Sequence, residues 1–247
     1  MKNILKFGLL ACLATAFVFA GCKKDDDDAN NGGGNSGVSI LPKKVTKIVV
    51  LYTESKGYSH NPHTHTFDSD GKLLSVEHED YSYYFSYSDN EIVETCKSHE
   101  EGKTETYAHK VSNGRIVSMY DGELTFSYSS DGYLASFNDG GDGTKFTIND
   151  GKLTAMEEKN KGETYMYKFT YDNTPNNLNV DLSYFYALDG ECPGYFGKRL
   201  KFLPSSVIEI GGDNDVTTFT YTYDSDYLTR ITEQYDDGGK TTYEIFY

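Results

Sequence analysis

Phe126-Ser127-Tyr128-Ser129-Ser130-Asp131-Gly132-Tyr133-Leu134-Ala135-Ser136-Phe137 is a β-hairpin written in sequence. Aromatic residues alternate with serines, an Asp-Gly turn follows, and a second apolar-bearing segment leaves it. Period-two alternation buries one face of a strand and wets the other. The Asp-Gly step supplies the positive φ that a tight reversal needs.

Outward from this unit the chain repeats it. The segment leaving the turn reads Gly, Asn or Asp, one residue, Leu or Ile, two residues, then usually an apolar one. Copies start at Gly71, Asn90, Gly114, Gly132, Gly151 and Asp226, and place Leu73, Ile92, Ile116, Leu134, Leu153 and Leu228 at the third position. The first five are spaced 19, 24, 18 and 19 residues apart, which is one hairpin per repeat. The strands entering the turns alternate aromatics with Ser, Thr and Lys: Tyr81, Tyr83, Phe85 and Tyr87, then Tyr165, Tyr167, Phe169 and Tyr171, then Phe219, Tyr221 and Tyr223. Such faces belong in a core, and each tyrosine hydroxyl there needs a partner.

Short turns between successive strands pair sequence neighbours. The expectation is an all-β, antiparallel up-and-down meander of about 14–16 strands, rolled into a soluble barrel-like sheet. A flattened roll or two-layer sandwich is the alternative. A lipid-spanning barrel needs an outward apolar band, and here the face opposite the aromatics is Ser, Thr, Lys, Glu and Asp. Residues 173–215 break the rhythm and form an irregular insert, expected to hold a short helix or to plug a barrel end. Irregular backbone on a rigid sheet is where ligand sites concentrate, so Tyr184, Phe185, Tyr186, Tyr195, Phe196, Lys198 and Arg199 are the candidate ligand contacts.

The repeat resembles the tyrosine-aspartate (YD) repeats of Rhs-type shells, with Asp68-Ser69-Asp70-Gly71 and Tyr223-Asp224-Ser225-Asp226 the nearest matches. It departs from them where Ser88 and Ser129 stand in place of Asp. The whole C-terminal part resembles uncharacterised Bacteroidetes lipoproteins described as having a porin-like fold. That resemblance implies a many-stranded antiparallel roll and nothing catalytic.

The leader supports the same placement. Lys2 and Lys6 precede the apolar run Phe7–Phe19, too short for a membrane span and read as a signal peptide over residues 1–21. Phe19-Ala20-Gly21-Cys22 resembles the lipobox of bacterial lipoproteins, with Phe19 where Leu is commoner. The resemblance implies cleavage before Cys22 and its acylation; an ordinary secretory signal is the alternative. Lys23-Lys24-Asp25-Asp26-Asp27-Asp28 resembles the export signal of Bacteroidetes surface lipoproteins, which implies the outer face of the outer membrane. Residues 22–42 then form an acidic, Gly/Asn-rich tether with an r.m.s. reach of about 25 Å, and residues 43–247 form one β-hairpin-repeat domain.

Charge narrows the partners. The net charge is −15, and losing the two leader lysines takes it to −17. Phosphate backbones and anionic lipid surfaces are repelled, so nucleic acid is excluded and the membrane is reached through the lipid anchor only. No cofactor motif is present. Cys96 and Cys192 remain after the leader and the anchor, and can pair in an exported protein.

Catalytic chemistry is sparse. There is no nucleophile elbow, phosphate loop or metalloprotease motif. Adjacent Glu157 and Glu158 point to opposite strand faces and cannot act as a glycosidase pair. Histidines cluster early, and a regular hairpin puts His63, His65 and His78 on one face, a weak zinc arrangement that one bulge would shift. Acidic turns follow no calcium-loop pattern. The expectation is a surface-anchored, non-enzymatic binding or scaffold lipoprotein for an extracellular glycan or protein. A passive structural component of an envelope assembly is the alternative, and a hydrolase the remote one.

Overall fold

The computed structural model describes residues 43–185, 195–211 and 214–247. Among them sixteen strands form one closed antiparallel barrel. The first eight are β1 (Lys47–Thr53), β2 (His63–Phe67), β3 (Leu73–Glu77), β4 (Tyr81–Tyr87), β5 (Glu91–Ser98), β6 (Thr104–Ser112), β7 (Arg115–Met119) and β8 (Leu124–Tyr128). The rest are β9 (Leu134–Asp139), β10 (Asp142–Asn149), β11 (Lys152–Asn160), β12 (Glu163–Thr170), β13 (Ser206–Ile210), β14 (Val216–Asp224), β15 (Tyr227–Gln234) and β16 (Lys240–Phe246). Each strand pairs with its sequence neighbours, and β1 closes the ring on β16 from Lys47↔Phe246 to Thr53↔Lys240. The meander is therefore a barrel rather than a sandwich, and closure leaves no free edge strand.

The aromatic faces point inward. Phe126 lies opposite Phe137, Tyr167 opposite Met156, and Tyr221 opposite Ile231. The outer wall instead carries exposed Lys97, Lys110, Lys145, Lys168 and Arg230. Lys145 meets Glu157 at 3.0 Å and Arg230 meets Glu244 at 2.9 Å across that wall. These are exposed pairs, worth little in stability; Leu74, Tyr84, Met166 and Ile210 are exposed as well.

The repeat now has a physical account. Its Leu or Ile is buried at one end of the barrel: Leu73, Ile92, Ile116, Leu134 and Leu153 are fully enclosed and Leu228 nearly so. Burying each contributes about 1.5–3 kcal/mol. In five of the six copies the two residues after it enclose a β-bulge, seen as register shifts at Thr66/Phe67, Lys110/Val111, Ser127/Tyr128, Thr147/Ile148 and Thr222/Tyr223. A bulge adds one residue and resets which side chains face in, so Leu153 and Met156, three apart, both point to the core. The copy at Ile92 lacks the apolar third residue and lacks the bulge.

In four of the six copies a tyrosine on the following strand fastens to the carbonyl of the repeat Leu or Ile. Tyr87 donates its hydroxyl to the Leu73 carbonyl at 2.6 Å, Tyr128 to Ile116 at 2.5 Å, Tyr171 to Leu153 at 2.9 Å, and Tyr247 to Leu228 at 3.0 Å. The residue before the Leu or Ile lays its cation over the same ring: Lys72 over Tyr87, Arg115 over Tyr128, Lys152 over Tyr171. Ser129 replaces Asp without loss of the turn. Its Oγ accepts from the Tyr133 amide at 3.2 Å, as Asp68 Oδ1 accepts from the Lys72 amide at 2.9 Å.

Between β12 and β13 the insert turns into the barrel at the end ringed by the repeat Leu and Ile. Val180, Leu182, Tyr184, Phe185, Phe196, Leu200 and Leu203 are buried. This is the plug, and among its described residues no helix forms.

Candidate ligand-binding cleft

The plug is stitched to the rim by main-chain hydrogen bonds. The Ile116 amide donates to Tyr195, the Lys198 amide to Gly132, and the Lys201 amide to Gly151. On the far side Asn179 bonds Val45 in both directions, at 2.7 and 3.3 Å. Arg199 braces the interior: it donates to the Leu178 and Val180 carbonyls and to Asn176 Oδ1, and lies 3.8 Å from Asp181. Arg199 is half-buried, and with both terminal guanidinium nitrogens donating inside the insert it is committed to the plug.

These stitches explain the repeat glycines. At Gly71 (φ +81°) a Cβ would lie 2.2 Å from the Asn179 carbonyl oxygen, and at Gly151 (φ +80°) 2.7 Å from the Lys201 side chain. Glycine there serves both the left-handed turn and the close approach of the plug.

One stretch of wall opens beside these stitches. The β9–β10 ladder runs from Asp142↔Asp139 to Lys145↔Ser136 and then stops, so Phe146–Ile148 and Leu134–Ala135 diverge. The plug segment from Lys198 to Lys201 spans the wide end of the wedge, bonded to the turns at Gly132 and Gly151. The result is a half-open cleft of about 460 Å³ between the two strands and the plug segment. Leu134, Phe146 and Ile148 form its floor. Asp131, Asp150, Lys198 and Lys201 stand around its mouth with the Ser129 and Thr147 hydroxyls. Lys198 Nζ rests over the Tyr133 ring, 4.9 Å from its centroid.

The candidates named from sequence divide by depth. Tyr184 packs edge-on against Phe146 at 5.4 Å and against Phe196 at 6.4 Å. Phe185 does the same with Phe219 and Tyr243. Tyr184, Phe185 and Phe196 are buried in the plug core, and Arg199 is held by plug carbonyls. Tyr195 is half-buried and stacked on Tyr87 at 5.4 Å. Lys198 is exposed and lines the cleft. Tyr186, Cys192 and Cys22 lie outside the described residues. Cys96 faces the interior of β5, where burial, then Glu94, pushes its thiol pKa up.

The histidines sit at the other end of the barrel. The bulge at Thr66/Phe67 sets Thr64 opposite Glu77, which brings His78 beside His63. Their ring centroids are 4.2 Å apart. His65 lies one step deeper, opposite Ile48 and Val76. Burial first, then neighbouring histidines, lowers both His63 and His65 from 6.5 to about 4. Among the described residues no three His, Cys, Asp or Glu converge on a metal position.

Sequence reading missed the polar interior, part of it toward this open, unplugged end. Glu94 accepts from or donates to His109 across 2.9 Å, both enclosed. Tyr167 donates to Glu158 at 3.3 Å, and Tyr243 to Glu233 at 3.1 Å. Burial, with Glu209 adding to it, raises the Glu158 carboxyl above its ordinary range. The available signal was Glu94 at an inward parity with Phe85 across the ladder.

The described fold is similar to that of a porin-like protein from Bacteroides uniformis ATCC 8492. Identity is 17%, covering 82% of this chain and 98% of that one, with a TM-score of 0.59. A porin-like protein from Bacteroides vulgatus ATCC 8482 is similar at 14% identity, over 83% and 99% of the two chains, with a TM-score of 0.54. At these identities the likeness is one of fold. No family model matches the chain, and no curated protein matches it in sequence. The porin-like part of the sequence resemblance has its counterpart in these structures; the YD-repeat part has none there.

Proposed function

We propose that this chain is a non-enzymatic binding lipoprotein of the outer membrane, held at the cell surface by acylated Cys22 and engaging an extracellular glycan or protein. The observation that carries the reading is the cleft between β9, β10 and the plug: a polar-mouthed, apolar-floored recess on a rigid closed wall. Its exposed lining is mostly polar, which suits a polar, hydroxyl-bearing partner. The lipobox-like Phe19-Ala20-Gly21-Cys22 and the Lys-Asp run behind it support the anchor. The charge-bearing outer wall fits a barrel carried beside a membrane rather than through one.

Two measurements test this. Palmitate labelling in a bacterial host should mark the wild-type chain and not Cys22→Ala, and surface protease should shave the wild type from intact cells. Binding of the full chain to a glycan array and to envelope proteins should then be saturable. Label at Cys22 with no binding in either format would leave a lipoprotein but remove the binding role.

A further inference from the structure

Resting on that reading, we infer that the cleft takes a neutral, hydroxyl-rich sugar presented as a chain end, one or two units in size. Charge comes first. Asp131 and Asp150 face Lys198 and Lys201 around the mouth, so the formal charges cancel locally in a chain whose overall charge is −15. A charged sugar of either sign would meet two groups of each sign and gain no net attraction from them, while paying to lose its water. An uncharged polyol meets donors from the lysines, acceptors from the aspartates and both from Ser129 and Thr147. Hydrogen bonds to charged partners are the stronger kind, and they discriminate because a missing hydroxyl leaves a charged group unpaired.

Shape comes second. The divergent strands offer three residues on one side and two on the other, roughly 7–10 Å of wall. At the wide end the plug main chain closes the wedge through the Lys198–Gly132 and Lys201–Gly151 bonds. At the narrow end the ladder resumes at Ser136↔Lys145. A polymer cannot run through such a recess, and an extended peptide cannot add as a strand beyond those few residues. A compact end group fits. Its apolar C–H face would lie on Ile148 and Phe146, and its rim would meet the four charged groups.

The test uses the full chain on an array of matched oligosaccharides that differ only in the terminal unit: neutral, uronate, sulfated or amino. The affinity is then measured by titration with the best free disaccharide. Neutral termini should bind at least tenfold more tightly than charged ones, and capping the terminal unit with a further sugar should remove most of the signal. Thr147→Trp, an exposed position at the mouth, should weaken binding at least tenfold with the circular dichroism melt unchanged. Asp150→Asn with Lys201→Met should do the same while preserving net neutrality. Preference for charged termini, binding along internal chain, or binding untouched by Thr147→Trp would overturn the inference. In each of those cases the binding role survives, whereas silence toward every glycan and every envelope protein removes both.

Discussion

The two ends of this barrel are built by different rules. At the plugged end a short repeat recurs six times, and each copy contributes the same parts: a buried Leu or Ile, a bulge in five of six, and in four copies a tyrosine hydroxyl on the preceding repeat's carbonyl. At the open end the copies diverge. Glu158 and Glu233, each five residues after a repeat leucine, accept from Tyr167 and Tyr243, a pairing found in those two copies, while His63 meets His78 only once. The difference teaches where stability is redundant. A ring of equivalent apolar parts spreads its energy over many positions, whereas buried polar pairs are each costly to leave half-made.

The largest expected effect isolates the plug. Gly71 and Gly162 both have left-handed backbones, at φ +81° and +84°. A Cβ at Gly71 would strike the Asn179 carbonyl at 2.2 Å, while at Gly162 it would meet nothing within 4 Å. Gly162→Ala should therefore cost about 1 kcal/mol for its backbone alone. Gly71→Ala should cost about 3–5 kcal/mol, because the plug must move as well. Equal losses on urea denaturation would mean that the plug adds nothing to that turn.

Most of the plugged end could be read from sequence, and little of the open end could. The repeat announces itself because Leu, turn glycine and tyrosine recur at fixed offsets, and the three-residue gap from Leu153 to Met156 is the trace of a bulge. Closure of the sheet could not be read, since it depends on Lys47 meeting Phe246, two hundred residues away. The plug interior was opaque for another reason. Its buried residues follow no period, and the aromatics that look available in the sequence, Tyr184 and Phe196, are spent on the core. The cleft was partly legible: Lys198 was one of seven insert candidates, but Asp131, Asp150 and Lys201 are brought to it only by the stopped β9–β10 ladder.

The open end should show itself through pH. His65 is enclosed, and burial, then His63, lowers it from 6.5 to about 4. Between those values the unfolded chain takes up a proton that the folded chain refuses. Stability is therefore whole above about 6.5 and falls as the pH drops toward 4, by about 3 kcal/mol in all for this one group. His63 adds a smaller share of the same sign, being only half-buried. Glu158 works in the opposite sense, since a raised carboxyl gains stability on acidification. Denaturation at pH 6.5 and 5.0 avoids most carboxylate titration and should show a clear loss on acidification. His65→Gln should remove about half of that slope; an unchanged slope would break the assignment of the open end as the acid-sensitive one.

The smallest effect sharpens the comparison most, because it asks whether the repeat is truly redundant. Tyr171→Phe removes the hydroxyl that bonds the Leu153 carbonyl at 2.9 Å, and leaves the ring beneath Lys152. Its cost should be about 1 kcal/mol, the net worth of one buried neutral hydrogen bond. Tyr87→Phe, at the equivalent place on Leu73, should cost the same. The two hydroxyls lie on well-separated strands and share no partner, so the double variant should lose the sum. A loss well above the sum would show that the fastenings act together around the ring, and the plugged end would then be one cooperative collar rather than a set of equal and separate ties.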